Sequence, residues 1–600
     1  MIIGIDLGTT NCALAWADLQ EETPERTLPI HPFPIPQLTY PGTVEPRATL
    51  PSFIYFPGPH ELPAGSLALP WNEEATEVVG WLAREQGAKI PHRVVTSAKS
   101  WLSNEQVERR DPILPWQAPA EVEHISPIAA SERYLSYLAQ AWNYTNPQIP
   151  LEEQELVITV PASFDTIARE LTVQAAQEAG FKNFTLLEEP QAAFYAWLDQ
   201  AQSDWRQQVQ VGDRILVCDV GGGTTDFSLI SVKDSGGDLL LEREAVGEHI
   251  LLGGDNMDLT LALFIQHKLK SERQIKLDNW QLQVLTNSCR AAKEQLLQED
   301  GLEDWTLTIP GRGSSLIASS ISATLTQEEA WEILGDGFFP LCKLSEQATR
   351  ARQSGLRELG LPFESNPAIT KHLARFLSLH RDPQGDLPFL PPTAILFNGG
   401  VFKAPKLRQR LISTLNAWLA EYKLPPVKEL AGADYDLAVA RGAVRSALTK
   451  HGLGVRIKGG VNRSYYLGIE SSRPAIPGLP APLKALCVAP FAMEEGSSSP
   501  IPERTFGLVV GEPVEFRFLA STCRQRDQIG DLIEDWDDEI EELQSLQVTL
   551  PASAGEEGKI IPVTLESHVT EVGTLEVWCC QNGKPQWRLE FEVRHPSPSL

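Results

Sequence analysis

The chain has 600 residues, with 51 lysines and arginines against 79 aspartates and glutamates, for a formal net charge of −28. That length is enough for several hydrophobic cores and predicts two or more domains, while the charge opposes binding to nucleic-acid phosphates or an anionic membrane surface. Eight cysteines, none in a Cys-x-x-Cys spacing, read as scattered buried thiols and give no sign of a zinc site or a disulfide framework.

Met1 opens directly onto a strand, with no charged leader ahead of it and no apolar run approaching a membrane span, so a cytoplasmic location is expected. Ile5-Asp6-Leu7-Gly8-Thr9-Thr10 runs an apolar strand into an aspartate and a glycine turn, and Cys12 to Leu19 returns as a second strand. The proline-rich stretch from Thr23 to Pro70 predicts an extended surface insertion around one short strand, Phe53 to Phe56. Leu156 to Val160 is the next strand, Pro161 a turn, and Asp165 the N-cap of a helix that runs through Arg169 to Ala179 and stops at Gly180. A strand at Thr185 to Leu187 leads into Glu188-Glu189-Pro190 and a helix from Ala192 to Leu198.

The opening pattern then returns: Cys218-Asp219-Val220-Gly221-Gly222-Gly223-Thr224-Thr225 is followed by a strand at Phe227 to Val232. Gly253-Gly254-Asp255 opens a helix, and Leu282 to Leu297 forms another that carries Arg290, Lys293 and Glu294. A strand at Ala394 to Phe397 ends in Asn398-Gly399-Gly400 before a helix at Leu407 to Leu419. Asp434-Tyr435-Asp436 precedes a helix at Ala438 to Leu448. Alternating strands and helices predict an α/β architecture. Beyond Gly460 short strands with Pro, Gly and Ser turns, among them Thr505–Val510, Val514–Leu519, Ile561–Leu565, Gly573–Cys579 and Trp587–Val593, predict an all-β sandwich. Asp531 to Leu543 is rich in acids, with apolar residues near helical spacing, and is expected as a solvated acidic helix; the alternative is an arm that docks on the sandwich or on a partner.

The repeated hairpin carries the chemistry. Glycine lacks a Cβ, so successive amides can turn toward one anion, and an aspartate at each strand end can face Mg²⁺ through water. One such turn is weak evidence, since many tight turns need glycine and bind nothing. Two at corresponding strand-turn-strand positions predict a clamp on the phosphates of a nucleotide.

In order and spacing, Gly4 to Asn11, Ile158-Thr159-Val160-Pro161-Ala162, Glu189-Pro190, Asp219 to Asp226 and Leu252-Gly253-Gly254-Asp255 resemble the DnaK-type (70 kDa) heat-shock chaperone family across roughly Met1 to Lys450. The resemblance implies an α/β actin-like, two-lobed ATPase domain over residues 1–453, a linker at 454–463, and a smaller all-β, substrate-binding-like sandwich at 464–600 that ends without a helical lid. It implies that Asp6, Glu189 and Asp219 hold Mg²⁺ and its waters, that Gly8, Thr9, Thr10, Asn11, Gly221, Gly222 and Gly223 contact the phosphates of ATP or ADP, that Lys99 positions the attacking water, and that Thr224 stands beside the γ-phosphate. Gly253, Gly254, Arg290, Lys293, Glu294, Gly399, Gly400 and Asp436 fall at positions of nucleotide contact. Arg290 stands where the family usually has glutamate and Glu294 where it usually has arginine, an exchange compatible with a compensated pair or with altered affinity. Pro161 and Arg169 match the residues that couple nucleotide state to the second domain, although the linker Gly454 to Gly460 is apolar at only two positions.

The expected function is that of an ATP-dependent chaperone and weak ATPase acting on unfolded peptide or a dedicated client, with a J-domain co-chaperone and a nucleotide exchange factor as partners. Alternatives are an actin-like ATPase that regulates or scaffolds one partner and, less favoured, a small-molecule kinase of the same fold.

Overall fold

A computed structural model describes the chain except residues 22–27, 105, 202–204, 236–237, 248–249, 312–319, 350–359, 381–386, 431–433, 454–456, 459–460, 462, 471–482, 492, 494–495, 503, 522–523, 525, 535, 537–538, 544, 553–556, 571–573 and 593–600. It divides into two compact units, one of residues 1–164, 171–239 and 245–456, the other of residues 165–170, 240–244 and 457–600.

The first unit holds the repeated motif in two sheets of matching connectivity. In one, β1 (Ile2–Leu7) pairs antiparallel with β2 (Asn11–Ala17) and parallel with β3 (Glu155–Val160), which pairs parallel with β4 (Phe184–Glu188). In the other, β5 (Arg214–Val220) pairs antiparallel with β6 (Thr225–Ser235) and parallel with β7 (Ala394–Asn398). Leu7 faces Cys12 in the first hairpin and Val220 faces Thr225 in the second, so each turn spans four residues. The duplication read from the sequence therefore extends to the parallel neighbour of each hairpin.

The central strands read as continuous apolar runs because both their faces are covered. Ile2, Ile5, Leu216 and Cys218 are fully buried. The helix Ala438–Lys450 lies on the first sheet, with Ala440, Ala443, Val444 and Ala447 packed against Ile2, Ala13 and Ala15. It also crosses the helix Glu189–Ala201 so closely that a Cβ on Gly442 would overlap the carbonyl oxygen of Ala192. The helices Gly254–Arg273 and Asn279–Leu296 enter the core of the second sheet through Met257, Leu261, Ile265, Leu285 and Cys289.

The proline-rich stretch departs from the expectation of a surface insertion with one strand. It contains strands at His31–Pro32, Ile35–Tyr40, Thr43–Arg47, Leu50–Pro51 and Ile54–Tyr55, and Ile35, Leu38, Leu50 and Ile54 are buried. Its prolines are tolerated because they sit where a ladder hydrogen bond can be spared: Pro36 faces Pro46 in a two-stranded ribbon, and Pro32 lies on a two-residue edge strand against Ala15. Asp165 caps its helix as expected, its Oδ1 accepting from the amide of Ala168 at 2.6 Å, and the helix spans Thr166–Glu178 with Gly180 beyond it at φ 92°.

In the second unit, one sheet runs Leu532–Ile533, Leu483–Ala489, Ser464–Glu470, Phe518–Ser521, Glu541–Glu542, all antiparallel. The other is built on Ile560–Val569, Thr574–Gln581 and Lys584–Glu592. Tyr465, Leu486 and Phe518 of the former share a core with Val563, Val577 and Phe591 of the latter, and the rings of Tyr465, Phe518 and Phe591 stack at centroid distances of 5.3 and 4.4 Å. The strand expected over Val514–Leu519 is broken at Arg517: Pro513–Phe516 pairs with Leu546–Thr549, and Phe518–Ser521 with Ser464–Leu467. Within this unit Leu241 and Glu242 pair parallel with Ile457 and Lys458.

The described part of 531–543 contains no helix. Leu532–Ile533 and Glu541–Glu542 are edge strands, Ile533 and Trp536 pack with Tyr466 and Leu519, and Glu534, Glu539, Glu541 and Glu542 pair with Lys484, Arg524, Arg463 and Arg517. The docked alternative holds here, because sheet edges and four cations offer partners that a solvated helix would lack.

Gly442→Ala is expected to destabilise the protein by about 1–3 kcal/mol, the usual cost of overpacking a close contact. Gly337→Ala, where a Cβ would meet nothing within 4 Å, is the control. Urea-unfolding midpoints of the two variants check this, with only the first expected to fall.

Candidate functional site

The two hairpin turns meet. A Cβ on Gly222 would overlap Thr10 Oγ1, and one on Gly223 would overlap Ser100 Oγ, so glycine is required at both positions for the turns to approach each other. Beside them lies a cleft of about 520 Å³. Its lining includes Asp6, Gly8, Thr9, Thr10, Asn11, Lys99, Glu189, Asp219, Gly221, Gly222, Thr224 and Gly254, and on its far wall Arg290, Lys293, Glu294, Gly399, Gly400 and Asp436. Gly223 and Gly253 stand behind it: Gly253 donates its amide to Asn256 Oδ1 at 2.8 Å and backs onto the Gly221 and Gly222 carbonyls. Pro161 and Arg169 are not among the cleft residues. Pro161 is buried directly after β3, and Arg169 is buried within the second unit.

Each carboxylate is delivered by a strand end. Asp6 lies near the end of β1 and its Oδ1 is 3.4 Å from the hydroxyl of Thr159 on β3. Asp219 lies near the end of β5 and accepts from Asn398 Nδ2 on β7 at 2.7 Å. Glu189 opens the helix that follows β4, and Lys99 comes from the short helix Ala98–Leu102 to form a buried ion pair with it.

Burial and like charge dominate the electrostatics. Burial, then the charge of Glu189, raises Asp6 to about 7, with Lys99 opposing. The same two causes hold Asp219 well above the usual carboxylate range, against the hydrogen bond from Asn398. Burial also raises Asp226, next along β6. Burial alone would lower Lys99, but Glu189 and Asp6 outweigh it and keep it above its ordinary value. The ligand-free cleft thus gathers more carboxylates than its lysine can pair, and burial favours the protonated form of Asp6 and Asp219.

Burial leaves several polar atoms facing no partner: Ser100 Oγ, Asp226 Oδ1 and Asn398 Oδ1 accept no hydrogen bond among the described residues. Of these, Asn398 lines the cleft, where an unpaired buried acceptor is open to a ligand. Among the described residues no three His, Cys, Asp or Glu side chains converge tightly enough to hold a metal directly.

Arg290 donates its hydrogen bonds to two aspartates and not to Glu294, whose charge acts on it without a direct pair. Arg290 Nε donates to Asp258 Oδ2 at 2.9 Å and Nη2 to Asp255 Oδ1 at 2.7 Å, Lys293 Nζ lies 2.6 Å from Asp258 Oδ1, and Glu294 is exposed. Asp436 is also largely exposed and pairs with Lys403. Sequence reasoning missed Asn398, Asp255 and Asp258. The signals were present, since Asn398 ends a buried strand before two glycines and the two aspartates open a helix whose next turn is apolar.

For ligand-free protein the sign of the pH dependence follows from Asp6. Its raised value means the folded state holds a proton that the unfolded state has lost, so its contribution to stability is complete below about pH 4 and is lost as pH rises through about 7. Asp6→Asn is expected to flatten that loss, and urea midpoints at pH 5 and pH 8 measure it.

Residues 43–315 match the family model described as Hsp70 protein. Over 262 residues, 41% of the chain, the sequence is 32% identical to the chaperone protein HscA of Xenorhabdus nematophila, covering 40% of that protein. Over 282 residues, 45% of the chain, it is 30% identical to HscA of Photorhabdus laumondii, covering 38% of it. Over 371 residues, 60% of the chain, it is 29% identical to the HscA homolog of Bordetella petrii, covering 50% of it. The chain thus spans from 38% to 50% of the length of these curated relatives. The family match over residues 43–315 and these relatives agree with the motif series and support an Hsp70 (DnaK-type) family member.

Proposed function

We propose that this chain is an ATP-dependent chaperone that hydrolyses Mg·ATP in the cleft of its first unit and thereby controls the hold of its β-rich region, residues 464–600, on unfolded peptide or a dedicated client. In this reading residues 1–453 are the nucleotide-binding domain and 454–463 the linker. The observation that carries it is the convergence of two topologically equivalent hairpins on one cleft that holds the Lys99–Glu189 pair beside Asp6 and Asp219.

The residues suit the ligand. The orphaned Asn398 Oδ1 in the cleft awaits a partner, and the surplus of buried carboxylate favours a cation. Mg²⁺, when bound, supplies charge that offsets the phosphate oxygens. Asp6, Glu189 and Asp219 hold it with its waters. The turn amides of Gly8 to Asn11 and of Gly222 and Gly223 bind phosphate oxygens, with the hydroxyls of Thr9 and Thr10, the Gly221 amide closing its own turn on the Thr224 carbonyl at 3.0 Å, while Thr224 stands beside the terminal phosphate. Lys99 Nζ, fixed by Glu189, orients the attacking water. Placement and charge neutralisation account for most of the rate in phosphoryl transfer. Gly254, Lys293, Gly399, Gly400 and Asp436 border the nucleoside end, with Gly253 behind the second turn.

Arg169 and Pro161 are assigned the coupling of nucleotide state to the client region, with a J-domain co-chaperone and an exchange factor acting on the cycle. Seven described cysteines are free thiols, which supports a reducing, cytoplasmic setting; no described helix is long and apolar enough to cross a membrane.

Lys99→Ala is expected to keep ATP binding and lose most hydrolysis, roughly a hundredfold for a lost positioning group; wild-type turnover would remove Lys99 from the mechanism. Single-turnover hydrolysis by the wild type, with and without an unfolded peptide, tests the chaperone reading. Stimulation by peptide and faster peptide release on adding ATP are expected, whereas slow hydrolysis indifferent to peptide would favour an ATPase dedicated to one partner.

A further inference from the structure

One chain of contacts ties the Lys99 segment to the second hairpin. Ser97, immediately before the Lys99 helix, has φ 54° and ψ 30°, a left-handed conformation that a serine adopts at a cost. Its hydroxyl donates to Asp255 Oδ2 at 2.7 Å. Asp255 sits in the first turn of the Gly254–Arg273 helix, where its own amide donates to the Gly222 carbonyl at 2.7 Å and the Gly254 amide to the Gly221 carbonyl at 3.0 Å. The other carboxylate oxygen of Asp255 accepts from Arg290, whose Nε is held in turn by the buried Asp258. With both oxygens engaged, Asp255 cannot rotate away from Ser97, and a charge-assisted hydrogen bond offsets the unfavourable backbone of the turn.

We propose that Ser97, Asp255 and Arg290 form a positioning relay that fixes the Lys99 segment against the second hairpin and so sets where the Lys99 ammonium points in the cleft. The inference rests on the reading that Lys99 orients the attacking water. It also gives Arg290 a reason to stand where other members carry glutamate: a carboxylate there would face Asp255 and Asp258 and leave Asp255 unbraced.

The test combines substitution with rescue. Ser97→Ala removes the donor, and its single-turnover hydrolysis is expected to fall about tenfold, a loss typical of a group displaced by well under an ångström, with nucleotide affinity changed less than about twofold on the same ground. Ser97→Asn, which tolerates the left-handed region and keeps a donor, should recover most of the rate. In a Lys99→Ala background Ser97→Ala should change nothing further, because both act through one ammonium. An unchanged rate in Ser97→Ala, no recovery in Ser97→Asn, or losses that multiply with Lys99→Ala would each overturn the relay while leaving the ATPase reading in place. Full hydrolysis by Lys99→Ala alone would instead remove Lys99 from the mechanism, and the relay with it, with the ATPase reading still standing.

Discussion

The buried pair of Lys99 and Glu189, set beside Asp6 and Asp219, is the constraint on which the rest depends. Asp6, Glu189 and Asp219 share one end of the cleft with the Lys99 ammonium, and burial pushes Asp6 to about 7 and holds Asp219 well above the usual carboxylate range. A protein does not gather such charge for stability, since buried carboxylates without a cation raise the energy of the folded state. The arrangement makes physical sense as a site whose missing positive charge arrives with its ligand.

That charge is held in place by backbone. Each aspartate rides near the end of a strand with a parallel neighbour on one side and its hairpin partner on the other, so its position is fixed by ladders on both flanks. The glycines of the second turn let it press against Thr10 and Ser100, and the helix that follows Gly253 anchors that turn through two amide hydrogen bonds. Rigid strands thus present the carboxylates, while the lysine arrives on a short helix and needs bracing of its own.

Much of this was legible in the sequence because it is local. An apolar strand, an aspartate, a glycine turn and a second strand occupy a dozen residues, and their recurrence announced both hairpins, whereas Lys99, Glu189 and the other cleft residues were reached only through the family resemblance. What escaped is non-local. Ser97 and Asp255 are 158 residues apart, and nothing near either one signals the other. Arg290 looked like half of an exchanged pair with Glu294, one helical turn away, but two aspartates from a neighbouring helix compete for it and win. The proline-rich stretch misled because proline is barred only from positions that must donate, and edge ribbons leave such positions free. The spacing of Leu532, Ile533, Trp536 and Ile540 fits a helix, yet the sheet edges and the cations Lys484, Arg463, Arg517 and Arg524 draw that segment into strands and turns.

Calorimetric titration of ATP into the purified chain near pH 7, with Mg²⁺ and then with a chelator, in buffers of different ionisation heat, tests the central claim most directly. A cation-deficient cleft predicts one nucleotide bound per chain, binding that weakens sharply when Mg²⁺ is withdrawn, and release of protons as the metal complex drives Asp6 and Asp219 to ionise. Binding indifferent to Mg²⁺ with no proton release, or no binding at all, would contradict it.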